Sequence, residues 1–259
     1  ELNRYPDGSG HQLKKVLAKK LGVEPDQLTL GNGSNDVLDL ITRVVMEPGF
    51  EAIIPEHSFV VYKLSVTCAN GEIVVAPAAS GFGADLEAVR DRISSKTRLI
   101  FIANPNNPTG TWVGLGEIEK LLLAVPKSVW VVIDEAYFEY LDHPKYGSAL
   151  CSMERFENLI VTRTFSKIYG LASLRLGYGI TSSKFADLLN RARQPFNVGG
   201  LTLAAGVAAL SDDEFVIESR KKNEKGLRQL EKGLDELGLA WIPSGGNFLA
   251  VDCDRDGQE

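Results

Sequence analysis

The feature that most constrains this sequence is a series of short, almost wholly apolar runs. They are residues 52–54 (Ala-Ile-Ile) with Pro55 behind them, 73–76, 99–103, 129–133 and 159–162. A strand with one wet face alternates polar and apolar side chains, so a strand apolar at both parities has to be covered on both faces. Helix-length stretches lie between several of the runs, at 58–68, 85–93 and 116–125. Together they predict an α/β fold with a mostly parallel central sheet and helices on both faces. Ligands of such sheets bind at the carboxyl ends of the strands. Polar groups follow the third, fourth and fifth runs: Asn-Pro-Asn-Asn-Pro-Thr-Gly at 104–110, Asp134 to Tyr137, and Ser166 with Lys167.

The remaining elements extend this frame. Residues 3–10 are turn chemistry, rich in Pro, Gly and Asp. Leu13, Val16, Leu17 and Leu21 recur at helical spacing before Gly22, which stops the helix. A short strand at 28–30 runs into Gly31, Asn32, Gly33, Ser34 and Asn35, and Val37, Leu38, Ile41, Val44 and Val45 then mark a buried helix. A glycine-rich turn feeding a helix presents free N–H groups and a positive dipole end to an anion. Residues 174–180 form another strand. From Asp213 to about Leu237 a charged helix leaves the sheet, and 239–242 and 247–251 read as two strands beyond it. The expected division is a large domain at 1–212, with 1–10 the remnant of an N-terminal arm, and the start of a small α+β domain at 213–259.

Composition excludes several classes of function. Among 259 residues, 44% are apolar and 24% charged, as in an ordinary globular protein. A net charge of −6 argues against nucleic acid as the main partner, because such binding leaves a basic stripe. The short basic clusters at Lys14 and Lys15 and at 220–222 read as solvated helix faces. Three cysteines, Cys68, Cys151 and Cys253, are odd in number and widely spaced, which suits a reducing cytoplasm rather than a disulfide framework or a zinc site. His11, His57 and His143 share no metal-binding spacing. No apolar run approaches the roughly 20 residues of a membrane helix. The chain opens without an initiator Met and reads as a fragment.

Lys167 sits in a tight connection at a strand end, with Ser166 before it and Arg175 eight residues after it. Hydroxyl and guanidinium suit a phosphate, and the amine suits an aldehyde. In sequence order, the turn at 31–35, residues 57–62 (His-Ser-Phe-Val-Val-Tyr), the loop at 104–110, residues 134–137, the segment 163–167 (Arg-Thr-Phe-Ser-Lys) with Arg175, and residues 193–198 (Arg-Gln-Pro-Phe-Asn-Val) resemble the fold-type I pyridoxal-phosphate aminotransferases. Within them the chain is most similar to the histidinol-phosphate aminotransferase group, from Leu2 to Phe248.

The resemblance implies pyridoxal 5′-phosphate as cofactor and amino-acid and keto-acid substrates, glutamate and imidazole-acetol phosphate in the histidinol-phosphate group. It implies Asp134 against the ring nitrogen, Asn107 and Tyr137 on the 3′-oxygen, and Phe59 stacked on the ring, with Tyr62 a packing neighbour. The phosphate falls to Ser34, Asn35, Thr164, Ser166 and Arg175, and to Tyr5 from the neighbouring subunit of a homodimer with shared sites. Lys167 holds the aldehyde and then moves the proton at the substrate α-carbon. The family's N-terminal arm and its carboxylate-clamping arginine beyond residue 259 have no counterpart here. Other readings stay open: an aromatic amino-acid aminotransferase, a threonine-phosphate decarboxylase, or a non-catalytic cofactor-binding fragment or regulatory domain.

Overall fold

A computed structural model describes residues 3–255. Glu1, Leu2 and residues 256–259, where the expected arm remnant begins and the expected small domain ends, lie outside the described residues. In chain order the elements are α1 (His11–Leu21), β1 (Leu28–Asn32), α2 (Ser34–Val45), β2 (Glu51–Pro55), α3 (Val60–Cys68), β3 (Glu72–Ala76), α4 (Leu86–Asp91), β4 (Thr97–Ala103), α5 (Leu115–Ala124) and β5 (Trp130–Asp134). They continue with β6 (Leu159–Thr164), β7 (Leu176–Ile180), α6 (Ser183–Ala192), α7 (Gly200–Leu210), α8 (Asp213–Leu237), β8 (Ala240–Ile242) and β9 (Ala250–Asp252).

Among the described residues the main sheet has seven strands in the order β1-β7-β6-β5-β4-β2-β3. β7 pairs antiparallel with both β1 and β6, and the other pairings are parallel, so β7 alone runs against the rest. The central strands feed two cores by alternation. Ile100 and Ile102 of β4, Val131 and Ile133 of β5, and Leu159 and Val161 of β6 pack with Leu13 and Leu17 of α1 and Ile118 and Leu121 of α5. Leu99 and Phe101, Val132, and Ile160 from the same strands pack on the other face with Val37, Leu38 and Ile41 of α2, Tyr62 and Val66 of α3, and Phe185 and Leu189 of α6. Both parities of each strand are therefore buried, which is why the runs are continuously apolar.

Parallel neighbours bring their carboxyl ends to one edge. Ala103 lies opposite Asp134, and Asp134 opposite Thr162. β1 ends at the same edge, where Gly33 bridges to Leu176 at the start of β7. That approach requires glycine: a Cβ on Gly177 would sit 2.2 Å from the Ser34 nitrogen. Gly33 itself has φ 81°, a left-handed backbone that side-chain-bearing residues rarely adopt.

Four expectations change. Residues 181–212, assigned no element from sequence, carry α6 and α7; α7 is built largely of Ala, Gly and Leu, so its periodicity is faint. The strand expected at 247–251 forms only at Ala250–Asp252. Before it, the Gly245 N–H donates to the Gly110 carbonyl at 2.8 Å and the Asn223 amide to the Gly246 carbonyl at 2.9 Å, so this segment pairs outside the hairpin. Lys14 is half-buried, bonded to Asn190, and burial pushes its ammonium down to about 8. Arg220 is no solvated cation either: its Nε donates to the Glu139 carbonyl at 2.6 Å, tying α8 to the sheet unit.

Glu139 is 9% exposed. Burial pushes its carboxyl from an ordinary 4.5 up to about 7, against the pull of Arg163. Between those values the folded chain keeps a proton that the unfolded chain has released. Stability from this group therefore falls as pH rises from 4.5 through about 7 and stays lower above it. The loss is on the order of 3 kcal/mol. Glu139→Gln stays neutral throughout. In urea unfolding, its stability relative to wild type is expected to rise between pH 4.5 and pH 8; parallel pH curves for the two chains would refute this.

Candidate active site

The three carboxyl ends and the β1–α2 turn enclose a cleft of about 190 Å³. Three larger clefts, about 410, 590 and 720 Å³, contain none of the expected site residues. Size does not mark the site here; the convergence of charged and polar groups does.

One wall is acidic. Asp134 ends β5 and is 5% exposed, and its two oxygens are held by hydroxyls from different elements. The Tyr62 Oη donates to Oδ2 at 2.8 Å and the Thr162 Oγ1 to Oδ1 at 2.9 Å. Burial pushes the Asp134 carboxyl above the usual range, while these bonds and the Ala136 N–H pull it back. The Tyr62 phenol, fully buried beside that carboxylate, is pushed well above its ordinary value and stays a donor. Sequence reading treated Tyr62 as packing and passed over Thr162. A hydroxyl directly across from Asp134 on the neighbouring parallel strand was the available signal for Thr162.

The opposite end is cationic. α2 begins at Ser34 with a glycine N-cap and so without a side-chain cap, and Ser34 and Asn35 of its first turn line the cleft, which brings the positive end of the helix dipole to it. The Arg175 guanidinium lies against Gly33, where a Cβ would come 2.5 Å from Nη2. Arg175 Nη1 donates to the Ala172 carbonyl at 2.9 Å and to the Ser166 Oγ at 3.4 Å. Thr164 Oγ1 accepts from the Ser166 N–H at 3.1 Å and donates to the Leu176 carbonyl at 3.2 Å, shaping the turn that carries Lys167. The Lys167 Nζ stands 4.8 Å from the centre of the Tyr137 ring, between the two ends.

The asparagine-rich loop divides its work. Asn104 pairs through its side chain with both the N–H and the carbonyl of Val113, and Asn106 donates to the His57 carbonyl and to Thr109. Only Asn107 turns to the cleft, donating to the Tyr137 Oη at 3.3 Å. Phe59 lines the cleft and stands edge-on to Tyr62.

Other motif residues act behind the wall. Glu135 and Arg163, which flank Asp134 and the lysine turn in sequence, form a buried pair through Nε at 3.0 Å and Nη2 at 2.8 Å, and Ser148 bonds both. Asn197 donates to Leu30 and Asp36, and Asp36 accepts from the Asn32 N–H, so the 193–198 motif braces the β1–α2 turn. Tyr5 does not line the cleft. It is 83% exposed and stacks on Phe196 at 4.8 Å. Among the described residues no cluster of His, Cys, Asp and Glu could hold a metal, and no helix is long and apolar enough to cross a membrane.

Known proteins share this architecture. Residues 1–257 match the family model "Aminotransferase class I and II". The chain is 52% identical over 256 residues to histidinol-phosphate aminotransferase 2 of Pseudomonas fluorescens, covering 99% of this chain and 69% of that one. It is likewise 52% identical to histidinol-phosphate aminotransferase 2 of Methylococcus capsulatus, covering 97% and 69%. Among solved structures, histidinol-phosphate aminotransferase from Sinorhizobium meliloti in complex with pyridoxal-5′-phosphate superposes with TM-score 0.94 at 31% identity, over 99% of this chain and 70% of that one. Aspartate aminotransferase from Thermus thermophilus with maleate shares the fold at TM-score 0.88 and 24% identity, over 97% and 70%. With these relatives and a fold-type I architecture, the chain belongs to the class I and II aminotransferases, pyridoxal-dependent enzymes that transfer amino groups.

Proposed function

We propose that the chain transfers an amino group between glutamate and imidazole-acetol phosphate, in the cytoplasm, with pyridoxal 5′-phosphate in the 190 Å³ cleft. The observation that carries this is the meeting, in one small cleft, of a buried carboxylate, a lysine amine and a helix N-terminus backed by Arg175. The donor set fits the cofactor: cationic groups for a phosphate at one end, a buried anion for a ring nitrogen at the other, an amine between them. The histidinol-phosphate names of relatives at 52% identity favour this substrate over an aromatic amino acid or threonine phosphate. The converging polar groups disfavour a purely structural role.

When bound, the cofactor supplies an electron-poor ring that spreads the charge left on a substrate carbon. The protein's part is positional and electrostatic. Asp134, whose oxygens accept from Tyr62 and Thr162, would sit against the ring nitrogen and favour a proton there. Asn107 and Tyr137 would hold the 3′-oxygen, and Phe59 would cover the ring face. Ser34, Asn35, Thr164, Ser166 and Arg175 would anchor the phosphate, so that the reacting end would be oriented before the substrate arrives. Lys167 Nζ would hold the aldehyde end of the cofactor and would serve as the base for the proton of the substrate α-carbon.

Borohydride reduction of the loaded protein followed by peptide mapping is expected to place the pyridoxyl label on Lys167; a label on another lysine contradicts the assignment. Asp134→Asn is expected to keep some cofactor while slowing single turnover of the loaded protein with glutamate by about a hundredfold or more, because a charge aimed at the reacting system is lost from a dry site. Wild-type rates would remove Asp134 from this role. Histidinol phosphate, phenylalanine and threonine phosphate in the same assay separate the three substrate readings.

Tyr5 has no place in its own cleft, and its ring is presented outward on Phe196. In the proposed homodimer it reaches the phosphate in the other protomer's cleft. Mixing Tyr5→Phe chains with Lys167→Ala chains then gives one hybrid site carrying both lesions and one carrying neither. The unaltered site is expected to bind cofactor as wild type does. A Tyr5→Phe homodimer is expected to lose roughly 1.5–3 kcal/mol of affinity, since the acceptor is charged. Unchanged affinity, or a cofactor-loaded monomer in sedimentation, would contradict the shared site.

A further inference from the structure

Tyr62 is 0% exposed, although α3 begins at the surface with Val60 58% exposed. Its ring lies flat on Phe101 of β4, centroids 4.7 Å apart and planes 4° from parallel. Phe59 stands edge-on against it at 5.8 Å and 85°. A phenylalanine would make both contacts, so packing alone does not call for the hydroxyl. Burying a phenol is unfavourable unless its O–H finds an acceptor. Here that acceptor is the Asp134 Oδ2 at 2.8 Å.

We propose that Tyr62 is a positioning residue for the cofactor: its phenol orients the Asp134 carboxylate toward the ring nitrogen, and its ring props Phe59 against the ring face. One side chain thereby sets both the edge partner and the face partner of the cofactor ring. The inference rests on the reading of Asp134 as the nitrogen's partner. Thr162 pins the second oxygen at 2.9 Å, so the carboxylate is held at both ends and each oxygen keeps a lone pair for the cleft. A charge-assisted O–H···O⁻ bond also favours the anion over the neutral acid, opposing the effect of burial.

The two contributions separate by substitution. Tyr62→Phe keeps the ring stack and removes only the donor; Tyr62→Leu removes donor and ring together. Equilibrium affinity is measured for pyridoxal 5′-phosphate and for its 1-deaza analogue, in which C–H replaces the ring nitrogen. Tyr62→Phe is expected to weaken the natural cofactor by about ten- to a hundredfold and to leave the analogue near wild type. Tyr62→Leu is expected to show the same selective loss plus an equal further loss for both compounds. A Tyr62→Phe chain that binds both compounds as wild type does, or loses both equally, overturns the proposal, and so does Tyr62→Leu with only an equal loss. Asp134→Asn is the reference. If it fails to discriminate the two compounds, the reading of Asp134 falls and this inference with it. If it discriminates and Tyr62→Phe does not, the role of Tyr62 alone is overturned.

Discussion

Burying the Asp134 carboxylate is the constraint on which the rest of the site depends. A carboxylate taken from water into a protein interior costs several kcal/mol unless hydrogen bonds replace its hydration. The replacements come from separate parts of the fold: Tyr62 from α3 and Thr162 from β6. Those elements also carry the other parts of the cleft, since β6 runs into the turn bearing Lys167 and α3 starts next to Phe59. The hydrogen bonds to this one carboxylate thus tie together the elements that carry Lys167 and Phe59.

The opposite end of the cleft depends on close backbone approach. Gly177 lets β7 pass against the nitrogen of Ser34, and Gly33 leaves room for the Arg175 guanidinium over the first turn of α2. A helix dipole and a guanidinium then act within one turn's length, where the dipole is strongest. The strand order sets β6 and its Lys167 turn between β5, which ends in Asp134, and β7, against which Ser34 packs. The two other charges of the same motifs, Glu135 and Arg163, neutralise one another behind the wall, so they do not compete for a ligand.

Much of this was legible in the chain. The continuous apolar runs required a sheet covered on both faces, and the polar residues following the third to fifth runs proved to lie at one edge because parallel strands end together. Lys167, Asp134, Asn107, Tyr137, Phe59, Ser34, Asn35, Thr164, Ser166 and Arg175 all line the cleft. What sequence reading missed were partners distant along the chain and unremarkable by type. Tyr62 and Asp134 are 72 residues apart, and neither periodicity nor composition tells a tyrosine that packs from one that also donates. The small-residue helix α7 escaped for a related reason, since Ala and Gly mark no face.

The sequence by itself determined the layering and the residue types at the strand ends, because burial on both faces and glycine-dependent turns are local requirements that each segment meets alone. Only the tertiary structure decided what the loop's other two asparagines hold, which hydroxyls hold the buried carboxylate, and which motif charges pair away from it. Those outcomes depend on register between strands and on helices from remote parts of the chain, and hydrogen bonding is directional, so it is settled only when the partners have been brought within about 3 Å of each other.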